Sequence, residues 1–225
     1  MLPGFKKHVR RSGKDIFTKS CAPCHVLGDL GDKDKSSATR LDGWGTEAWV
    51  LGMLHDPDAP ERFGRTPYKG EMPSQDTPPK EGGESFKPMP KADMEAAAAF
   101  LTAQGDEPGE AIPPNAIRKD PARVKQGEEV VVKRCTLCHM YKGSGDEADT
   151  GNAPEFSGYG SIKWVKAQVA NPGTPATYRE KALDPALKGH MPRFDEELSA
   201  EDVDLVARWV RAHARGVPLV MGNKR

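Results

Sequence analysis

The chain has 225 residues, with 33 basic and 33 acidic side chains, 36% hydrophobic residues, 23 glycines and 20 prolines. This length predicts two small domains, and the apolar and glycine content excludes a disordered chain but predicts a loop-rich fold. No segment approaches the roughly 18 to 20 consecutive apolar residues of a membrane-spanning helix, and the balanced charge argues against nucleic acid as a partner.

Charge is unevenly distributed along the chain. The first 20 residues carry six basic and one acidic side chain, whereas residues 21–115 carry nine basic and 17 acidic ones. The basic first 20 residues and the acidic residues 21–115 predict surfaces that orient a partner during docking, and ordinary solvated charge is the alternative interpretation. The first seven residues lack the apolar core of a secretory signal.

The first predicted helix spans residues 13–20, with Ser12 as its cap, and leads into the motif Cys-Ala-Pro-Cys-His at 21–25. The other two cysteines lie in Cys-Thr-Leu-Cys-His at 135–139. Such motifs are typical of covalent c-type haem attachment, in which two thiols form thioethers to the porphyrin and the histidine reaches the iron. We therefore predict two haems, held by Cys21, Cys24, His25, Cys135, Cys138 and His139.

Three other interpretations of the cysteine pairs are a redox dithiol, a zinc site and local disulfides. A redox dithiol is expected after a strand in a βαβ unit, which this sequence does not show. Two cysteine pairs that share a zinc ion are usually about 15 to 20 residues apart. Cys24 and Cys135 are far more widely separated than that.

Further elements follow the first motif. A short helix is predicted after Thr46, with Trp49 and Val50 on its apolar face, and Pro57 ends it. Two Met-Pro pairs come next, and a second, alanine-rich helix is predicted over 93–102. The segment 105–117 contains three prolines and three acidic residues and is predicted to be a linker.

The second part of the chain repeats the first. Residues 127–134 match 13–20, and residues 156–165 match 41–50, at offsets of 114 and 115. Predicted helix caps are Asp120, Ser161 and Ser199, and Gly216 is predicted to end the last helix. No convincing alternating strand pattern appears, so we predict an all-α fold with domains at 1–104 and 118–225 joined by the linker.

This order of elements resembles the class I cytochrome c family in tandem. The Gly-Trp-Gly and Met-Pro contexts are also similar to the soluble diheme cytochrome c segments of bc-type quinol:cytochrome c oxidoreductases. The resemblance implies, in each copy, a few helices around one covalent haem and a C-terminal helix that packs on the first helix. It also implies one distal methionine ligand for each iron.

The distal ligand of the second copy is expected to be Met191, with His190 as the rival. In the first copy both Met72 and Met89 precede a proline, and Met89 stands closer to the closing helix. Met72 shares the context Lys-Gly-x-Met-Pro with Met191. This context favours Met72 and makes residues 74–88 an insertion.

A haem held by histidine and methionine has no vacant position for a small substrate. The resemblance therefore implies single-electron transfer between respiratory or photosynthetic partners, by a carrier, free or membrane-tethered, or by a module of a quinol-oxidising membrane complex. Expected partners are a quinol-oxidising complex, a terminal oxidase or another cytochrome. The alternative is a diheme enzyme, a peroxidase or a thiosulfate-oxidising cytochrome. The family implies a periplasmic or extracytoplasmic location, with a signal or anchor outside this chain.

Overall fold

The computed structural model describes residues 11–77, 87–111, 116–145, 153–178 and 191–217. Its helices are α1 (Gly13–Ile16), α2 (Glu47–His55), α3 (Lys91–Ala103), α4 (Pro121–Val130), α5 (Ile162–Ala170) and α6 (Ala200–Arg215). A short 3-10 turn, Ile117–Lys119, precedes α4. The predominantly helical fold confirms the all-α prediction, with one small hairpin added: β1 (Met140–Tyr141) pairs antiparallel with β2 (Ser144–Gly145).

The predicted helix caps are present. The side chains of Ser12, Thr46, Ser161 and Ser199 each accept a hydrogen bond from the backbone N–H three residues later. Asp120 accepts from the N–H of Ala122, just after the proline that begins α4. Gly216 ends α6 in the left-handed conformation, with φ 64°, which glycine adopts without steric cost.

Helices of the first copy pack against helices of the second copy. α1 lies against α6, and α4 lies against α3. A Cβ atom on Gly13 would collide with the side chain of Trp209, and one on Gly127 would collide with the Ala96 carbonyl group and the Phe100 side chain. Each attachment helix thus approaches the closing helix of the other copy at a glycine, where no side chain separates the two backbones.

Other contacts follow the same exchanged pairing. The rings of Phe17 and Trp209 are 5.2 Å apart. Arg11 Nη2 lies 2.6 Å from Asp202 Oδ2, beside α6. The resemblance implied packing within each copy, and the structure differs from that expectation. Only 17 residues, 104–120, separate α3 from α4, whereas 74 residues, 17–90, separate α1 from α3, so chain connectivity favours the α3–α4 pair.

Buried ion pairs hold the two copies together where the linker passes. Arg118 Nη1 lies 3.0 Å from Glu47 Oε1, and the Arg118 side chain is only 1% exposed. Arg211 forms an ion pair with Glu110, and Arg215 lies 3.2 Å from Asp106. The linker's described residues are therefore part of the junction between the copies. The boundaries at 104 and 118 stay predictions, and residues 112–115 lie outside the described residues.

An aromatic cluster forms a second part of this junction. Trp44 and Tyr159 occupy equivalent positions in the two copies, and their ring centroids are 5.6 Å apart. Trp164 packs on both rings, with centroid distances of 6.0 Å to Trp44 and 5.0 Å to Tyr159. The hydrophobic core is therefore continuous across the two copies.

Candidate haem-attachment sites and distal ligands

Both cysteine motifs begin at the end of a π-helical turn. α1 continues as Phe17–Cys21, and α4 continues as Val131–Cys135. The N–H of Ala22 donates to the Phe17 carbonyl oxygen at 2.9 Å, and the corresponding bond from Thr136 measures 3.3 Å. Single π-helical turns are rare and often occur at functional sites. Here each one ends on the first cysteine of its motif.

The two motifs then adopt the same conformation. In the first, the N–H groups of Cys24 and His25 donate to the Cys21 carbonyl oxygen at 3.1 and 2.9 Å. The corresponding bonds to the Cys135 carbonyl oxygen are also 3.1 and 2.9 Å. This backbone brings both thiols and the histidine of each motif onto a single turn, as attachment to one porphyrin requires.

The first thiol of each motif lacks the lowered pKa of a redox cysteine. Burial raises the pKa of the Cys21 thiol to about 11 and that of Cys135 to about 12. Thiol–disulfide exchange needs a thiolate, and redox cysteines have lowered pKa values. Within the described ranges, no group of three or more histidine, cysteine, aspartate or glutamate side chains is placed to hold a metal ion. The raised pKa values favour haem attachment over the dithiol interpretation.

Each motif histidine is oriented by a backbone carbonyl group. His25 Nδ1 lies 2.8 Å from the Thr39 carbonyl oxygen, and His139 Nδ1 lies 3.0 Å from that of Pro154. Because a carbonyl oxygen only accepts, Nδ1 carries the proton and Nε2 keeps its lone pair for a metal. Burial lowers the pKa of His25, which favours the neutral, ligating ring. The donor set therefore fits haem iron.

These two carbonyl groups were not identified in the sequence. Thr39 and Pro154 are 115 positions apart, the same offset that relates the second pair of repeat segments. The repeat alignment therefore carried a signal, but any residue type supplies a backbone carbonyl. Only the folded loop shows which one accepts the bond.

Met191 lies at the edge of the core of the second copy. It is partly buried against the hydrophobic cluster, and Gln168 Nε2 lies 3.5 Å from its sulfur atom. The position of the first copy that aligns with Gln168 is Met53, on α2. The rival His190 lies outside the described residues.

Met72 and Met191 each lie three residues before a backbone hydrogen bond to the end of the preceding helix, and the two acceptors, Leu54 and Ala170, differ by one position in the repeat alignment. The N–H of Gln75, three residues after Met72, donates to the Leu54 carbonyl oxygen near the end of α2 at 2.7 Å. The N–H of Phe194, three residues after Met191, donates to the last residue of α5 at 2.9 Å. This correspondence supports Met72 as the counterpart of Met191.

Met89 corresponds to a different residue of the second copy. Its N–H donates to the Gln75 carbonyl oxygen at 2.6 Å, as the N–H of Leu198 donates to that of Phe194 at 2.8 Å. Met89 and Leu198 are both buried and precede the caps of α3 and α6. Because Met89 has the structural position of Leu198, the extra residues of the first copy lie between Gln75 and Met89.

The two methionines are therefore expected to respond differently to substitution. Met72→Ala should remove the weak methionine-to-iron band of the first haem at the red end of the oxidised spectrum. It should also lower the potential of that haem, because the thioether sulfur favours reduced iron. Met89→Ala should leave that band in place and only reduce stability, by about 2 to 5 kcal/mol for a buried methionine. Loss of the band in Met89→Ala alone would reverse the assignment.

Comparisons with known proteins agree with the repeat. Residues 11–104 match the family model described as cytochrome c, and residues 122–210 match the one described as cytochrome C oxidase, cbb3-type, subunit III. Each match contains one attachment motif. No curated protein and no solved structure gives a significant match to the chain. In the part of the chain that the structure describes, no helix is both long and apolar enough to cross a membrane.

Proposed function

Because the chain is a tandem of two cytochrome c domains, each with a covalently bound c-type haem, we propose that it passes single electrons between redox proteins through both haems. The observation that carries this proposal is the repeated donor set. Each copy pairs an oriented imidazole with a Met-Pro segment that is followed by a backbone hydrogen bond to the end of the preceding helix. Haem iron held by a histidine and a methionine would supply one-electron chemistry.

The chain's own residues maintain this ligation. The carbonyl groups of Thr39 and Pro154 fix the imidazole rings and increase their basicity toward iron. The thioether sulfur atoms of Met72 and Met191 would be the second protein ligand of the first and second haem, respectively. Both centres are then closed to peroxide and thiosulfate, which favours a carrier over the enzyme alternative.

The partners follow from the same proposal. Residues 122–210 match a family model named for an oxidase subunit. This match supports the proposal that the protein transfers electrons beside or within a membrane oxidoreductase. A quinol-oxidising complex would then supply electrons, and a terminal oxidase or another cytochrome would take them. The proposed location is the extracytoplasmic face of a membrane, as the resemblance implies.

A redox titration followed by absorption spectroscopy tests the proposal. We expect two one-electron steps, and an oxidised spectrum with methionine-to-iron bands but without high-spin features. The potentials should differ, because the amide of Gln168 lies beside the sulfur atom of Met191, whereas the aligned position of the first copy is Met53, which has no amide. Rapid turnover of peroxide or thiosulfate at an open iron would contradict the carrier function and favour the enzyme.

A further inference from the structure

A cluster of polar side chains joins the segment after Met72 to the C-terminal end of α2. His55 Nδ1 lies 2.5 Å from Asp76 Oδ2. Ser74 Oγ lies 2.7 Å from Asp76 Oδ1 and 2.7 Å from the His55 carbonyl oxygen. The two carboxylate oxygens of Asp76 therefore contact one residue of the helix and one residue of the ligand segment.

The carboxylate in this cluster is charged across the neutral pH range. The hydrogen bonds from His55 and Ser74 lower the pKa of Asp76 to about 2. Hydrogen bonds to an ionised acceptor are stronger than those between neutral groups. The His55 side chain is 46% exposed and that of Asp76 is 34% exposed, so solvent weakens this contact without replacing it.

The second copy lacks the imidazole at the corresponding place. Asp195 follows Met191 by four residues, as Asp76 follows Met72. Its carboxylate oxygens lie 2.8 and 2.9 Å from the guanidinium of Arg193, on the same segment. The equivalent of His55 is Ala170, whose methyl side chain cannot bind a carboxylate. The Asp195 contact therefore stays within its own segment.

The ligand segment of the first copy differs from that of the second by the residues inserted between Gln75 and Met89. Phe194 and Leu198 are four residues apart, so a single turn closes the ligand segment of the second copy. Gln75 and Met89 form the equivalent bond across fourteen positions. Closing a longer loop costs more chain entropy, so the bond between Gln75 and Met89 fixes the ligand segment at a greater entropic cost than its counterpart does.

We propose that His55, Asp76 and Ser74 form a clamp that positions Met72 on the first haem and compensates for the inserted residues. The clamp rests on the proposed role of Met72 as the distal ligand. These side chains are positioning residues, because they hold the ligand segment against α2 and act through Met72. Their effect appears in how readily another ligand displaces the methionine.

The test uses the full chain with both haems attached. Imidazole binding to the oxidised protein, followed at the methionine-to-iron band, reports displacement of each methionine. Asp76→Ala and His55→Ala should each accelerate binding at the first haem by up to about fivefold, the size expected for a partly exposed ion pair. Asp76→Asn should lie between wild type and Asp76→Ala, because it keeps the bond to Ser74 and loses the charge. The matched control Asp195→Ala should leave binding at the second haem unchanged.

The outcomes separate the clamp from the ligand assignment. The double variant His55→Ala/Asp76→Ala should bind imidazole no faster than the faster single variant, because the two side chains act as one pair. Independent, multiplying effects would overturn the clamp. Unchanged rates in both single variants would also overturn it, while loss of a band in Met72→Ala would leave the ligand assignment standing. If Met72→Ala kept both bands, both proposals would fail.

Discussion

A Gly127→Val protein is expected to lose roughly 3 kcal/mol or more of its free energy of unfolding. A Cβ at this position would overlap the Ala96 carbonyl group and approach the Phe100 side chain of α3. The carbonyl belongs to helix backbone and cannot rotate away, so α3 and α4 must separate. Denaturant unfolding of the protein with both haems attached, followed by circular dichroism, measures this loss.

The same helix provides a matched control. Glu129 is exposed two residues further along α4, so Glu129→Val has the same β-branched side chain without the collision. Its effect should stay below about 1 kcal/mol. Because α3 closes the first copy, Gly127→Val should shift the unfolding of both haem environments together. A first haem whose unfolding midpoint stays at the wild-type value would contradict the exchanged pairing.

Replacing Cys135 and Cys138 with serine is expected to leave one covalent haem on the chain instead of two. Serine has no thiol to form a thioether, and the second motif has its own turn and its own oriented histidine. Mass measurement of the denatured protein should show the loss of a single haem mass. The absorption spectrum should keep the methionine-to-iron band of the first haem.

The mirror-image variant serves as its control. Serine at Cys21 and Cys24 should also remove one haem, and in this case the second centre should keep its spectrum. Each motif has the same internal hydrogen bonds, so attachment at one should not require attachment at the other. Loss of both haems in either variant would show that maturation of the two centres is coupled.

The sequence by itself determined the local features of this protein. The attachment motifs, the caps at Thr46 and Ser161, and the left-handed Gly216 depend on a few neighbouring residues. Such features follow from the short-range geometry of one turn, so residue type and spacing are sufficient to predict them. The internal repeat then predicted that both copies would share one fold.

The comparison of Met72 with Met89 as distal ligand of the first haem depends on both the sequence and the tertiary structure. The shared Lys-Gly-x-Met-Pro context favoured Met72, but the insertion made the distance along the chain to the closing helix ambiguous. The hydrogen bonds of Gln75 and Met89 resolve which residues correspond, because they join segments that are distant in sequence. Ligation by Met72 stays a prediction that Met72→Ala tests.

Only the tertiary structure decided which helices pair and how the ligand segment of the first copy is held. Gly13 and Gly127 both offer a close approach to a closing helix, so the pattern alone does not distinguish the exchanged pairing from the expected one. The short connection from α3 to α4 and the buried pair of Arg118 with Glu47 favour the exchange. Likewise, His55 and Asp76 are 21 residues apart in the sequence. Only the folded structure brings this imidazole and this carboxylate into contact.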